Sequence, residues 1–315
     1  GLPMAIVAAF SIVMTIGAEF HLLPPPRPSV DMDRTILTHQ ADMAGTAPAA
    51  DALLLGDSSC LIDIRATALE QSTKRRVLNL GTLSYLSFDG FALLLREYAG
   101  THASSKPATV VILLHPSSLR RHESEAYFLK SLEAFLAGED FCTGKALSSQ
   151  PLCRLGFYAF RDRLLTRWLG WPLPQEYATR YGFTTHLWKR MTQDKGSVQT
   201  SGLYVYEKGQ GSAEYHVSSG AKNLSRFFRQ RLPKGYRLAI GLTPIPASFA
   251  LPDYDATRME LLQQWTEAIG ADAVLSSLPA TLPDALFAST THLNDKGAKV
   301  FTDQLSTALR KASNP

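Results

Sequence analysis

The sequence predicts an α/β chain, a three-layer sandwich around a parallel sheet, and two observations carry that reading. Short apolar runs that end in glycine or proline turns alternate with segments of amphipathic helical spacing. Ser58, Gly81, His115 and Pro244 each follow the end of one of those runs. In an open parallel sheet, that edge is where ligands bind.

The first run is Ala52-Leu53-Leu54-Leu55, closed by Gly56-Asp57, and its length and glycine turn suit a buried parallel strand. A helix is expected from about Leu61 to Gln71. The second strand is Val77-Leu78-Asn79-Leu80, closed by Gly81, and residues Phe88 to Tyr98 have amphipathic spacing. The third is Thr109 to Leu114, closed by His115-Pro116. The alternation then breaks. From about Leu119 the chain is rich in Arg, Tyr, Phe and Trp, with helical pieces at Tyr127 to Leu136 and Phe157 to Leu169, which reads as a lid or side subdomain inserted over 119–235. Strand and helix resume with Tyr236 to Leu242, Asp255 to Ile269, Ala273 to Leu275 and Lys296 to Lys311. The sheet domain therefore comprises 51–118 and 236–315.

Residues 1–23 are almost free of charge and precede a proline-rich linker read over 24–50. About 20 apolar residues span a bilayer core, so a retained membrane anchor is expected, with a cleaved signal segment as the alternative. Either places the body outside the cytoplasm. Of the three cysteines, Cys142 and Cys153 are close enough to close a short loop in an oxidising compartment or to remain two thiols, and Cys60 is left over. The net charge of +4 is spread along the chain rather than gathered into a basic stripe, which gives nucleic acid binding no support. No Cys/His cluster has metal-ligand spacing, so neither a metal nor another cofactor is expected.

A serine hydroxyl needs a base within hydrogen-bond reach and donors for the oxyanion that forms. Ser58 sits at a strand-to-helix turn, where its own backbone N–H can face an oxyanion, and Gly81 can present a second N–H. His292, before the last helix, is the candidate base. Ser59 is the weaker alternative nucleophile and Asp57 reads as a turn residue. His115 is a candidate auxiliary, whereas His122, His186 and His216 read as structural or solvent-facing. Tyr181, Trp188, Tyr204 and Tyr206 suit core packing better than sugar stacking.

Leu55-Gly56-Asp57-Ser58, Asn79-Leu80-Gly81 and His292-Leu293-Asn294 with Gly297 together resemble the blocks of the SGNH, or GDSL-like, hydrolase superfamily. The chain looks closest to its membrane-anchored branch that works beside membrane-bound O-acyltransferases, and Leu242-Thr243-Pro244-Ile245-Pro246 suits that branch too. The resemblance covers about 50–118 and 236–312 and leaves the insertion out. It implies a single-pass protein of the bacterial inner membrane with its main domain in the periplasm. The implied activity is transfer of an acyl group, acetyl first, to a polysaccharide through Ser58, with a membrane-bound O-acyltransferase as partner. A carbohydrate esterase and a non-catalytic binding protein are the alternatives. Two positions depart from the family. Ser289 stands where an Asp usually orients the histidine, which leaves a Ser–His dyad, an acid from elsewhere such as Asp284, or an inactive descendant. The third strand ends in His115-Pro116-Ser117-Ser118 instead of an Asn.

Overall fold

The computed structural model describes residues 32–105, 108–121, 123–137, 187–205 and 215–313, with five positions in the first thirteen. Five parallel strands form the sheet: β1 (Ala52–Gly56), β2 (Val77–Asn79), β3 (Thr109–Leu114), β4 (Arg237–Leu242) and β6 (Ala273–Val274), in the order β2-β1-β3-β4-β6. A two-residue pair, β5 (Ile245–Pro246) with β7 (Thr281–Leu282), lies beyond the end of β4. The strands read as apolar runs because β1 and the last five residues of β3 and β4 are buried throughout.

Helices pack against the sheet unit in two sets. One holds α2 (Ser58–Asp63), α3 (Ala66–Thr73) and α8 (Asp295–Ser313), and its core joins Leu54, Val111 and Ala239 to Ile64, Leu69, Phe301 and Leu305. The other holds α4 (Phe88–Thr101), α6 (Ser219–Arg231) and α7 (Tyr254–Ile269), where Phe88 sets its ring edge-on to Phe91, Phe228 and Trp265. This is an α/β fold with a parallel sheet, as expected, and the helix sets are consistent with three layers.

Several elements differ from expectation. The single helix expected from Leu61 to Gln71 is two, because Ile64 is extended and Arg65 turns to other partners. Arg65 N–H donates to Thr302 Oγ1, Nη1 donates to the Ile62 and Val198 carbonyls, and Nη2 pairs with Asp295 at 2.7 Å. Residues 24–50 are not all linker, since α1 (Met32–Thr46) lies within them. Gln40 of α1 donates to the carbonyls of Asn79, Gly81 and Gly196. Two compact units divide the chain, 1–38 with 130–189 and 39–129 with 190–315. The unit that holds the sheet thus begins again at 190 rather than 236. Its α6 packs against α4 and α7 instead of belonging to an insertion. The helix expected over Tyr127 to Leu136 is α5 (Ala126–Leu136). The one over Phe157 to Leu169, Cys142, Cys153, Tyr181 and Tyr206 lie outside the described residues.

Among the described residues, no helix is long and apolar enough to cross a membrane. The expected anchor, 1–23, lies almost wholly outside them.

Gly56 closes β1 with φ of 155°, in the region only glycine adopts freely. A Cβ there would stand 1.9 Å from the Leu113 carbonyl oxygen and 2.7 Å from Cys60 Cβ. Strain at such a φ costs about 1–3 kcal/mol before any clash. Gly56→Ala is therefore expected to lose about 3 kcal/mol or more of stability, read as a lower urea midpoint at unchanged slope.

Candidate active site

The turn after β1 is built around Asp57, which is 1% exposed. Its Oδ1 accepts the Ser59 N–H at 2.9 Å and the Ser59 hydroxyl at 2.6 Å, and thereby caps α2. Its Oδ2 accepts the His115 N–H at 2.9 Å and the Ser118 hydroxyl. Asp57 thus ties the end of β1 to the chain leaving β3, the structural role expected for it. Ser59 is buried and also receives a hydrogen bond from Thr243 Oγ1 at 3.1 Å. With its oxygen committed on both sides, it is poorly placed as a nucleophile.

Ser58 is only partly buried, and its Oγ stands 2.9 Å from His292 Nε2. The two residues are 234 positions apart in the chain. With Nε2 unprotonated, the serine hydroxyl donates to it. The Ser58 N–H opens α2 and has no hydrogen-bond partner among the described residues, so it is free to meet an oxyanion.

The His292 loop is held from both ends. The Leu293 N–H donates to Asp63 Oδ1 at 2.8 Å, and Phe287 bridges Leu293 in antiparallel fashion. Asn294 donates to the Ala285 and Phe287 carbonyls and accepts the Lys296 and Gly297 N–H groups, which caps α8. A Cβ on Gly297 would lie 2.0 Å from the Leu286 carbonyl oxygen. The block His292-Leu293-Asn294 with Gly297 is thus one device: a cap, and a close backbone approach that aims the imidazole.

Among the described residues, no carboxylate stands behind the imidazole. Nδ1 faces Ser289 Oγ and Thr291 Oγ1, each at 3.4 Å, and Ser289 Oγ already accepts the His292 and Thr291 N–H groups at 3.1 and 3.3 Å. Asp284 is not the missing acid: it lies in a 3-10 turn, and its Oδ1 accepts the Ser248 N–H instead.

One further expectation is corrected. The Gly81 N–H donates to Asn79 Oδ1 at 2.8 Å, so it is not free for an oxyanion. A Cβ on Gly81 would sit 2.6 Å from the Leu61 nitrogen, and glycine is needed there to let α2 pass close by. His115 accepts the Ser117 N–H at Nδ1 (3.2 Å), which leaves its proton on Nε2. That nitrogen is buried near the Thr290 carbonyl without closing a hydrogen bond to it. Burial first, helped by the nearby His292 and Arg120 and opposed by Asp57, pushes the ring down to about 4. His115 is therefore neutral near pH 7, and with Nδ1 engaged by Ser117 and Nε2 buried it stands as a structural neighbour of the Ser58 turn.

Burial also lowers the pKa of His292 from 6.5, with Asp57 opposing. A general base must be a neutral imidazole, so a lowered pKa would keep His292 competent for that role at more acidic pH. The acid limb of kcat/KM is expected to have its midpoint below pH 6.5. A midpoint above that value in a pH–rate profile would contradict this environment.

Sequence reasoning missed Asp63, which holds the His292 loop through Leu293, Arg65, which reaches Asp295 at the start of α8, and Gln40, which holds the turn from Asn79 to Gly81. Asp63 is wholly buried, and burial raises its carboxyl well above the usual range. A carboxylate five residues after Ser58 in a short buried helix was the available signal. Tyr204 is buried in the core and donates its N–H to Phe287, Trp188 is partly buried, and His216 is exposed. His122 and His186 lie outside the described residues. Among the described residues, no three His, Cys, Asp or Glu side chains stand together as metal ligands, and Cys60 is a buried free thiol. The chain matches no protein-family model, and no curated protein matches it.

Proposed function

We propose that the chain is a serine-dependent O-acyltransferase of the SGNH-like kind that works outside the cytoplasm and modifies a polysaccharide, with acetyl as the first acyl group to test. The 2.9 Å approach of Ser58 Oγ to His292 Nε2 is the observation that carries this reading. Ser58 attacks the acyl carbonyl while His292 takes its proton. The Ser58 N–H holds the oxyanion, and His292 protonates the leaving group. A sugar hydroxyl then loses its proton to His292 and attacks the ester, which frees Ser58. In this reading residues 1–23 anchor the protein in the bacterial inner membrane, the main domain lies in the periplasm, and a membrane-bound O-acyltransferase supplies the acyl group.

Hydrolysis of the same ester needs only water in place of the sugar, so esterase and transferase share these residues. A non-catalytic glycan-binding role gains support from two observations: a neutral Ser289 behind the base and a Gly81 amide committed to Asn79. The experiment is incubation of the protein with an activated acetyl ester, with and without an oligosaccharide acceptor, followed by intact mass and product analysis. Acetylated oligosaccharide selects the transferase. Free acetate formed at a rate indifferent to acceptor selects the esterase. A protein that neither takes label nor turns over is neither enzyme.

A further inference from the structure

Arg258 lies in α7 one turn after Tyr254, on the same helix face, and both are buried, at 3% exposure each. Its Nη1 reaches the Ser276 carbonyl at a long 3.5 Å, while Nε and Nη2 are buried without a hydrogen-bond partner. Tyr254 Oη is buried and unpartnered in the same way. The nearest carboxylate along the helix, Asp255, is exposed and makes no ion pair with Arg258 among the described residues. A guanidinium cannot shed its proton near neutral pH, and an uncompensated buried charge is strongly unfavourable. The two idle nitrogens, moreover, are the side-on pair whose N–H bonds run parallel, the geometry that grips both oxygens of a carboxylate.

This cluster stands on the same edge of the sheet as Ser58. Ser276 follows β6 at its carboxyl end. The Tyr254 ring meets Tyr215 at 5.7 Å, Tyr215 meets His115 at 6.1 Å, and the Arg120 guanidinium lies 6.0 Å from the Tyr215 ring. His115 in turn shares Asp57 with the Ser58 turn. A line of aromatic rings flanked by a second cation therefore runs from His115, beside the Ser58 turn, to Tyr254 on the helix that carries the idle fork.

We propose that Arg258 and Tyr254 form a carboxylate-binding subsite for the acceptor, so that the polysaccharide modified at Ser58 is an acidic one bearing uronic acids. The inference rests on the transferase reading for the word acceptor, though the subsite itself does not. Arg258 takes the two carboxylate oxygens through Nε–H and Nη2–H, and Tyr254 donates a third hydrogen bond. Both nitrogens are covered, so the carboxylate enters by parting the side chains over them.

The test uses the full chain carrying Ser58→Ala, which stops chemistry and leaves binding. A glucuronic acid oligosaccharide, its carboxyl-reduced neutral counterpart and acetate are titrated by calorimetry. The acidic oligosaccharide is expected to bind at least tenfold tighter than the neutral one. Arg258→Met should abolish that preference, and Tyr254→Phe should weaken it several-fold. Without ligand, Arg258→Met should unfold at equal or higher urea than its parent, because it removes an uncompensated charge; a structural arginine would give the opposite shift. Equal binding of the two oligosaccharides, or a preference that survives Arg258→Met, would overturn the proposal. So would binding of acetate alone, which would assign the fork to a small free carboxylate. Turnover of an acetyl ester by the wild-type chain without acidic preference removes only this inference. Acidic preference without turnover removes only the transferase reading.

Discussion

Ser58→Ala is expected to abolish acyl-enzyme formation and to lower turnover of an activated acetyl ester by at least about 10³-fold. In dissected serine enzymes, loss of the nucleophile alone costs about 10⁶ in kcat and leaves only what the oxyanion donors and binding supply. On the proposed mechanism the drop is smaller here, because among the described residues no acid stands behind His292 and the Gly81 amide is committed to Asn79. Intact mass should show one added acetyl on the wild-type chain and none on the variant, and peptide mapping should place it on Ser58. Ser59→Ala is the discriminating control. Ser59 Oγ is held between Asp57 and Thr243, so its loss should lower stability by about 1 kcal/mol while acetyl still appears at Ser58. Label that vanished with Ser59 and persisted without Ser58 would move the chemistry one residue along α2. His292→Ala should match Ser58→Ala in size, and the double variant should be little worse than either, since the pair acts as one unit.

The parts of this site that were legible in the sequence are those whose signal is local. The runs before Gly56, Gly81 and His115 are apolar because their strands are buried on both faces, and a glycine or proline must follow each. Ser58 and His292 each stand at a boundary between an irregular turn and a helix, and boundaries of that kind carry caps and glycines that can be read. What stayed hidden depends on contacts between distant residues. Nothing near Gly81 in the sequence says that its N–H turns to Asn79 while its missing Cβ makes room for Leu61. The break at Ile64 is set by Arg65 reaching Thr302 and Asp295, more than two hundred residues on. Helix α6 falls in the stretch that reads as an insertion because strand and helix stop alternating after Leu119, yet its buried Ala221, Ser225 and Phe228 belong to the sheet unit. Arg258 is the reverse case, since a lone arginine on a helix looks solvent-facing until its burial is seen.

Ser289→Asp is expected to raise kcat by about 10²-fold or more, a gain of function at a position on the Nδ1 side of the His292 ring, opposite Ser58. Among the described residues, Nδ1 of His292 faces two hydroxyl oxygens at 3.4 Å, and a neutral oxygen would do little to stabilise the imidazolium formed if Ser58 gives up its proton. In dissected triads the orienting carboxylate accounts for about 10⁴ in kcat, and part of that is recoverable if the carboxylate fits. The loop is already shaped for it. Ser289 Oγ accepts the N–H groups of His292 and Thr291, so an aspartate oxygen in its place inherits two backbone donors, while its second oxygen extends one bond further toward Nδ1. The same charge should raise the His292 pKa and move the acid limb of kcat/KM to higher pH, opposing the burial that now lowers it. Paired with that shift, the rate gain identifies Nδ1 as the point of action. Ser289→Asn, which offers a neutral oxygen at similar reach, should reproduce neither. If Ser289→Asp leaves both rate and pH profile unchanged while the protein remains folded, His292 is not the base, and the approach of its Nε2 to Ser58 serves the fold alone.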